Sequence, residues 1–290
     1  MTRPSTGPHR ARQIWQYLEP LHAVVYFAPD VTAALGRLGL KGFWMSYFAA
    51  RAAPLGPVGP EVVAATFYNF APGLVGRAVP DAWRFAEPAA VLETRAAAAA
   101  AVLRAHVTGI EAEAERIVPL LASVVRAARP DGRVLFAANQ SLELPADPVA
   151  ALWQAATALR EHRGDGHVSL LVSEDLSGIE AHQIVVGAGL IGDERLRSVR
   201  GWSEAEWDAA KARLVDRGLL DTEGALSDDG RSLHERIETR TDLLADQPYV
   251  DGLTEAGLGL LPGLIRPLAR AISSSGIMPF PNPIGAAEPS

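Results

Sequence analysis

The stretch Glu161-His162-Arg163-Gly164-Asp165-Gly166-His167 places two imidazoles, two carboxylates and a guanidinium within seven positions. A histidine beside a carboxylate is held in one tautomer and can act as a general base or acid near neutral pH. The segment therefore offers His162 or His167 as base or acid, Asp165 as the orienting carboxylate, and Arg163, together with Arg51, as a bidentate holder of an anionic group. Glu161 adds a further acidic contact. A second polar set, Glu19, His22 and Tyr26, leaves another helical stripe, and Tyr47, Tyr68 and Asn69 can put polar tips into a pocket from a mostly aromatic run. The structural reading of the same residues is an Arg-Asp and His-backbone network locking a glycine-rich joint. His22 alone reads as a packed core histidine.

Other chemistries lack their residues. The chain has no cysteine, which excludes disulfides, thiolate catalysis and Cys-ligated zinc. His162 and His167 stand five apart rather than the four that set two imidazoles on one helix face, so no metal site is expected. No G-x-G-x-x-G, Walker loop or G-x-S-x-G occurs, and no cofactor is expected. What remains is cofactor-independent acid/base work: elimination, cyclisation, isomerisation or hydrolysis.

The elements that must position these residues are helical. Apolar positions 14, 15, 18, 21 and 25 form a stripe interrupted by Pro20, which predicts a kink or a late helix start. Residues 31 to 53 read as two short helices divided at Gly39 to Gly42, and Pro60 suits the first position of the next. Asp81 to Arg129 reads as one or two Ala-rich helices with Gly109 as a joint. A further helix runs from about Val149 to Arg160, after which the two glycines of the 161–167 segment predict a loop or joint. Ser203 with Glu206 forms a capping box for a helix through Arg217. Leu219 to Ser227 then reads as a short hairpin, and Ser227 caps a long helix from Arg231 to Ala245.

The two halves also align with each other. Ile14, Trp15, Leu18 and Leu21 match Leu152, Trp153, Ala156 and Leu159 at an offset of 138. Gly39 to Phe43 match Asp175 to Ile179 at 136, and Leu74 to Arg77 match Leu214 to Arg217 at 140. The run LVDRGLLDTEGALSDDGRSLHERIE resembles the recognition helix, wing and dimerisation helix of the MarR group of winged-helix regulators. More broadly, LEPLHAVVYFAP, FAARAAPLG and LREHRGDGHV are similar to an actinobacterial helix-turn-helix-related family. These resemblances imply a scaffold and bring no assigned reaction. MarR-type homodimers bind effectors between their halves, so a duplicated chain would place a small-molecule site at its domain junction.

The resemblance does not extend to DNA-reading chemistry. A recognition helix reads bases and holds phosphates through its first turns, but here those turns are Trp202-Ser203-Glu204-Ala205-Glu206-Trp207-Asp208. The turn Asp221-Thr222-Glu223-Gly224 adds two acids. The formal net charge of −7 and a pI near 5.5 also disfavour a polyanionic partner. The polar N-terminus and the lack of a long apolar run predict a cytoplasmic protein without a membrane partner.

The expected fold is mainly α, with tandem duplicated winged-helix-like domains forming an intrachain pseudo-dimer and a small β-hairpin wing in the second copy. The expected divisions are a first copy over 1–106, a helical bridge over 107–148, a second copy over 149–247, and a tail over 248–290 packing on the core. The expected function is small-molecule binding, of an anionic ligand or substrate, by an acid/base enzyme of bacterial specialised metabolism. The alternatives are a ligand-responsive transcriptional regulator and a sequestering protein without turnover; oligomeric state is left open.

Overall fold

The structure, a computed structural model, describes residues 10–280, 282–286 and 288–289. The first half contains α1 (Arg10–Phe27), α2 (Pro29–Gly36), α3 (Gly42–Ala52), α4 (Pro60–Phe67), α5 (Pro72–Gly76), α6 (Ala82–Phe85) and α7 (Pro88–His106). Then come α8 (Ile110–Ala127), α9 (Val134–Gln140) and α10 (Pro148–Ser173). The chain continues through α11 (Gly178–Gly187), α12 (Asp193–Arg200), α13 (Glu204–Asp216), α14 (Asp228–Gly252) and α15 (Glu255–Ser274).

α1 and α10 form the centre. Twelve of the eighteen residues of α1 and seventeen of the twenty-six of α10 are buried, as expected of helices enclosed on most sides. They cross antiparallel, with Trp15 under Arg163, Glu19 near Arg160 and His22 against Thr157. α15 and α14 pack on α1, while α7, α8, α9 and α14 surround α10. Pro20 does not break α1. Its missing N–H costs about 3 kcal/mol in a helix interior. Burial of Leu18, Leu21 and Val24 around it contributes about 1.5–3 kcal/mol for each side chain, enough to hold the helix continuous.

Two expectations are corrected. The segment 161–167 is not a loop but the middle of α10. Neither glycine breaks the helix, because α10 is enclosed on most sides; a Cβ on Gly164 or Gly166 would make only ordinary contacts, 3.5 Å from the Arg160 guanidinium and 3.7 Å from that of Arg133. The fold expectation of winged-helix copies with a β-hairpin wing is also overturned, since no strand exists among the described residues. Leu220 and Leu226 form one isolated antiparallel bridge. The reversal is closed by Asp221, whose Oδ1 accepts from the Gly224 and Ala225 N–H groups at 2.8 Å. Two bonds flank the bridge, Ser227 N–H to the Leu219 carbonyl and Asp221 N–H to the Ala225 carbonyl, and the ladder ends there because Ser227 turns at once into the N-cap of α14. The mainly helical part of the expectation holds.

Local start signals are met where the sequence places them. The Asp147 side chain accepts from Val149 and Ala150 N–H groups with Pro148 next to it, and Ser203 and Glu206 form the reciprocal box. Gly109, at φ 74°, separates α7 from α8. A large core joins α1, α2, α3, α7, α8, the first half of α10 and α15. A smaller one joins the end of α10 to α11, α13 and α14. No helix among the described residues is long and apolar enough to cross a membrane.

Candidate functional site

The polar centre of the molecule lies where α1, α3 and α10 meet. Arg51 of α3 donates through Nε and Nη2 to the two carboxylate oxygens of Glu161, both at 3.0 Å. The Arg160 Nη1 donates to the same carboxylate at 2.8 Å. Burial alone would raise the Glu161 pKa, but Arg160 and Arg51 pull it well below the ordinary carboxylate range. Glu19 accepts from the Trp15 indole N–H at 2.7 Å and lies 3.8 Å from Arg160. Burial dominates there, and the Glu19 pKa is raised despite Arg160.

Beside these charges runs a directed hydrogen-bond chain. The Thr157 hydroxyl donates to the Trp153 carbonyl four residues back, at 2.9 Å, so its oxygen must accept from His22 Nδ1, also at 2.9 Å. That assignment puts the imidazole proton on Nδ1 and leaves Nε2 to accept from the Tyr26 hydroxyl at 3.0 Å. Burial, with Arg160 next, holds the His22 pKa well below its ordinary value, so the ring is neutral. Tyr26 packs against Tyr47, with ring centroids 4.9 Å apart.

The cluster holds more positive than negative charge. Arg51, Arg160, Arg95 and Arg200 are fully or partly buried and close enough to influence one another or the same His22, Tyr47 and Glu161 groups. Glu161 and Glu19 oppose them, and Asp165 is the further carboxyl group within the field of Arg51 and Arg160, so the guanidiniums still outnumber the carboxyl groups. Arg95 gives hydrogen bonds to the Ala50 carbonyl, Asn139 and Gln154, and burial pushes its pKa down to about 10. Arg200, on α12, lies over the Phe70 ring at 4.5 Å and donates to the Pro283 carbonyl at 2.6 Å. Its buried Nε has no partner. Burial and then the neighbouring Arg51 charge lower its pKa, with Tyr47 opposing the shift.

Of the residues singled out in the sequence, His22, Tyr26, Tyr47, Arg51 and Glu161 are brought together here. His162, His167 and Arg163 are not, because the continuous helix rotates them onto other faces, while Asp165 lies one turn beyond Glu161, within the field of Arg51 and Arg160, but is bonded to α9. His162 is edge-on to Phe136, with its pKa lowered to about 3 by burial and then Arg133. Asp165 accepts from the Phe136 N–H of α9 at 2.9 Å. His167 meets Thr241 at 3.0 Å, while Arg163 donates to Asp242 at 2.9 Å and covers the Trp15 ring. Burial lowers the His167 pKa to about 4, although Glu238 opposes it. The Tyr68 hydroxyl bonds to the Leu176 carbonyl, and the Asn69 carbonyl accepts from His182 and Trp202. Sequence reasoning missed Arg160, Thr157, Trp153, Arg95 and Arg200. A readable signal existed for three of them, since positions 153, 157 and 160 share one helical face on which Thr157 and Arg160 interrupt an apolar pattern.

Asp165 yields a pH prediction. Burial raises its carboxyl pKa to about 6, although the Phe136 N–H pulls it down. A carboxyl whose folded pKa lies above its unfolded value contributes stability below about pH 4 and loses that contribution as pH rises through about 6. Asp165→Asn, which keeps an oxygen for Phe136, is expected to stabilise the protein by about 1–2 kcal/mol at pH 8 and to flatten the stability profile between about pH 4 and 6. Chemical denaturation at both pH values measures this; equal profiles for the two proteins would refute it.

The exposed surface of α13, the helix in which the sequence suggests a recognition helix, is acidic. Glu204, Glu206, Asp208 and Asp216 of α13 are exposed, and so are Asp221 and Glu223 in the following turn. The basic residues nearby are engaged within the chain: Lys211 with the Glu223 carbonyl, Arg213 with Glu180, and Arg217 with the Glu174 and Asp175 carbonyls. Among the described residues, no group of three or more His, Asp or Glu side chains is placed to hold a metal ion.

The profile of a family described as a helix-turn-helix family matches residues 11–279. No curated protein and no solved structure matches the chain.

Proposed function

The chain belongs to the helix-turn-helix family, and from that premise we propose that it uses this scaffold to hold an anionic small molecule at the junction of α1, α3, α10 and α12. The observation that carries this reading is the buried excess of guanidinium over carboxylate. Uncompensated charge in a protein interior is costly, and an anion between Arg51, Arg160 and Arg200 would neutralise it. Arg200 has the free Nε, while Arg51 and Arg160 can exchange part of their hold on Glu161 for a ligand carboxylate. Trp44, Tyr47 and Phe70 form an aromatic wall that suits a flat hydrophobic body behind that charge.

The same arrangement can support proton transfer without a cofactor. Tyr26 is the group nearest to an acid/base role, with neutral His22 behind it and Thr157 fixing the tautomer. A substrate proton would pass to the Tyr26 oxygen as the Tyr26 proton moves to His22 Nε2. Arg160 and Arg51 oppose the imidazolium in the free protein, so an anionic substrate that offsets them raises the basicity of His22. The reaction class is an elimination, cyclisation, isomerisation or hydrolysis of specialised metabolism. His22 and Tyr26, rather than His162 and His167, are the reacting pair in this reading.

Calorimetric titration with benzoate tests the anion site. Arg200→Met is expected to weaken benzoate at least tenfold, the effect of removing one charged hydrogen bond of about 1.5–3 kcal/mol. Absence of benzoate binding, or equal binding by the variant, would refute the assignment. Family membership is compatible with a second reading, a ligand-responsive transcriptional regulator. A salt-dependent mobility shift of DNA from its own gene region, reversed by ligand, would favour that reading. The acidic surface of α13 supports the opposite outcome.

A further inference from the structure

A separate region combines open space with unspent hydrogen-bonding capacity. Between α8, α9 and α10 lies a cavity of about 160 Å³. It stays open because small side chains line the close approach of these helices: Ala122 on α8, and Ala155 and Ala158 on α10. Val125, Leu142 and Leu144 add apolar wall, and Arg126 is the one charged side chain, so most of the lining is hydrophobic.

The deep end is polar. Asn139 and Gln154 both line the cavity and are only 3% and 4% exposed. The Gln154 amide nitrogen gives one hydrogen to Asn139 Oδ1 at 3.3 Å, and the Asn139 nitrogen gives one to the Leu135 carbonyl at 2.8 Å. Each primary amide has a second N–H, and the protein supplies no partner for it. Both amide oxygens already accept from Arg95, at 3.2 Å each. A cation bound to an amide oxygen polarises the amide and strengthens its N–H groups as donors. Gln140 is the reverse case. Its nitrogen donates to the Val125 and Ala128 carbonyls, which leaves Oε1 as an acceptor.

We propose that this cavity is a second ligand site, selective for a small uncharged aromatic carboxamide. The ligand carbonyl accepts from the spare N–H groups of Asn139 and Gln154, its ring lies against Ala122, Ala155 and Ala158, and its amide nitrogen donates to Gln140. Two free donors next to one free acceptor match the hydrogen-bonding pattern of a carboxamide. The volume suits a single ring, since an engineered apolar cavity of about 150 Å³ holds benzene. This site is distinct from the proposed anion site: its floor is made of the Asn139 and Gln154 amides, Arg126 is the one charged side chain in its lining, and the two sites share only Arg95, whose other hydrogen bond goes to Ala50 beside Arg51.

Benzamide is the probe, and saturation-transfer NMR on the full chain is the measurement. Saturable binding in the millimolar range is expected, appropriate to so small a ligand. Ala155→Leu and Ala122→Leu, which fill the cavity from opposite walls, should each weaken it at least tenfold. Gln154→Leu should weaken benzamide by about tenfold while leaving ethylbenzene, which has the ring without the carbonyl, unchanged. Ala155 is fully enclosed, so if Ala155→Leu does not fold, Ala122→Leu decides the result. No saturable benzamide binding, or binding undiminished by the filling variant, overturns the proposal. Benzoate affinity at the anion site should be unchanged in Ala122→Leu, which separates failure of this site from failure of the other.

Discussion

Glu161→Gln is expected to lower folding stability by about 3 kcal/mol, a fall of roughly 6 °C in melting temperature for a chain of this size. Glu161 is the one carboxylate that both Arg51 and Arg160 contact within 3.0 Å, and it is 1% exposed. Glutamine keeps the shape but leaves the Arg51 guanidinium without its counter-charge in the interior and Arg160 with only the more distant Glu19. The wild-type protein carries the corresponding pH dependence. Because the folded pKa is depressed by Arg160 and Arg51 against burial, the contribution of Glu161 is present above the unfolded value of about 4.3 and is lost as pH falls through the folded value. The variant should therefore lose less stability than the wild type below about pH 4. If the cluster receives anions, sulfate should restore more stability to Glu161→Gln than it adds to the wild type. Thermal melts across pH and sulfate concentration measure both effects. An unchanged melting temperature would show that the Arg51 and Arg160 charges are not buried as described.

Gly178→Ala should be comparably damaging for a different reason. Gly178 is the first residue of α11, where alanine would ordinarily improve helix propensity by up to about 1 kcal/mol. Here the added Cβ would stand 2.0 Å from the Tyr68 carbonyl oxygen and 2.8 Å from its carbon, both backbone atoms. Tyr68 itself sits at φ 61°, and its hydroxyl is tied to Leu176, so the segment has little room to yield. Separation of the two backbones would disturb the contact between residues 68–70 and the start of α11. A net loss of about 3 kcal/mol is expected, at the upper end of ordinary overpacking costs. Denaturant unfolding measures it, and a variant as stable as the wild type would mean that the close approach is absent.

Much of the local architecture can be read from the sequence because its causes are local. Ser203 with Glu206, Asp147 before Pro148, and Pro60 each mark a helix start through hydrogen bonds or a fixed φ within a few residues. The segment 161–167 misleads for the opposite reason. Two glycines among polar residues look like a break, but burial of α10 on most sides carries the helix through them, which is a tertiary effect. The hairpin expectation fails because the reversal is only one bridge long: Asp221 closes the turn on one side and Ser227 caps α14 on the other.

The site is legible to the same extent. His22, Tyr26, Tyr47, Arg51 and Glu161 were recoverable as polar residues on otherwise apolar helical surfaces. His162, Asp165 and His167 are neighbours in sequence, but an α-helix of 3.6 residues per turn sends them toward α9 and α14. Arg200 could not be found from local pattern. It comes from α12 and reaches Phe70 and Pro283 only through the folded arrangement.

The central claim is that the guanidinium cluster receives an anion, and a crystal structure of the protein soaked in 4-iodobenzoate tests it most directly. The iodine signal fixes the ring, and the carboxylate should accept hydrogen bonds from at least two of Arg51, Arg160 and Arg200, with the Tyr26 hydroxyl within reach. A carboxylate found away from these guanidiniums, or an unchanged cluster with no bound anion, would contradict the account.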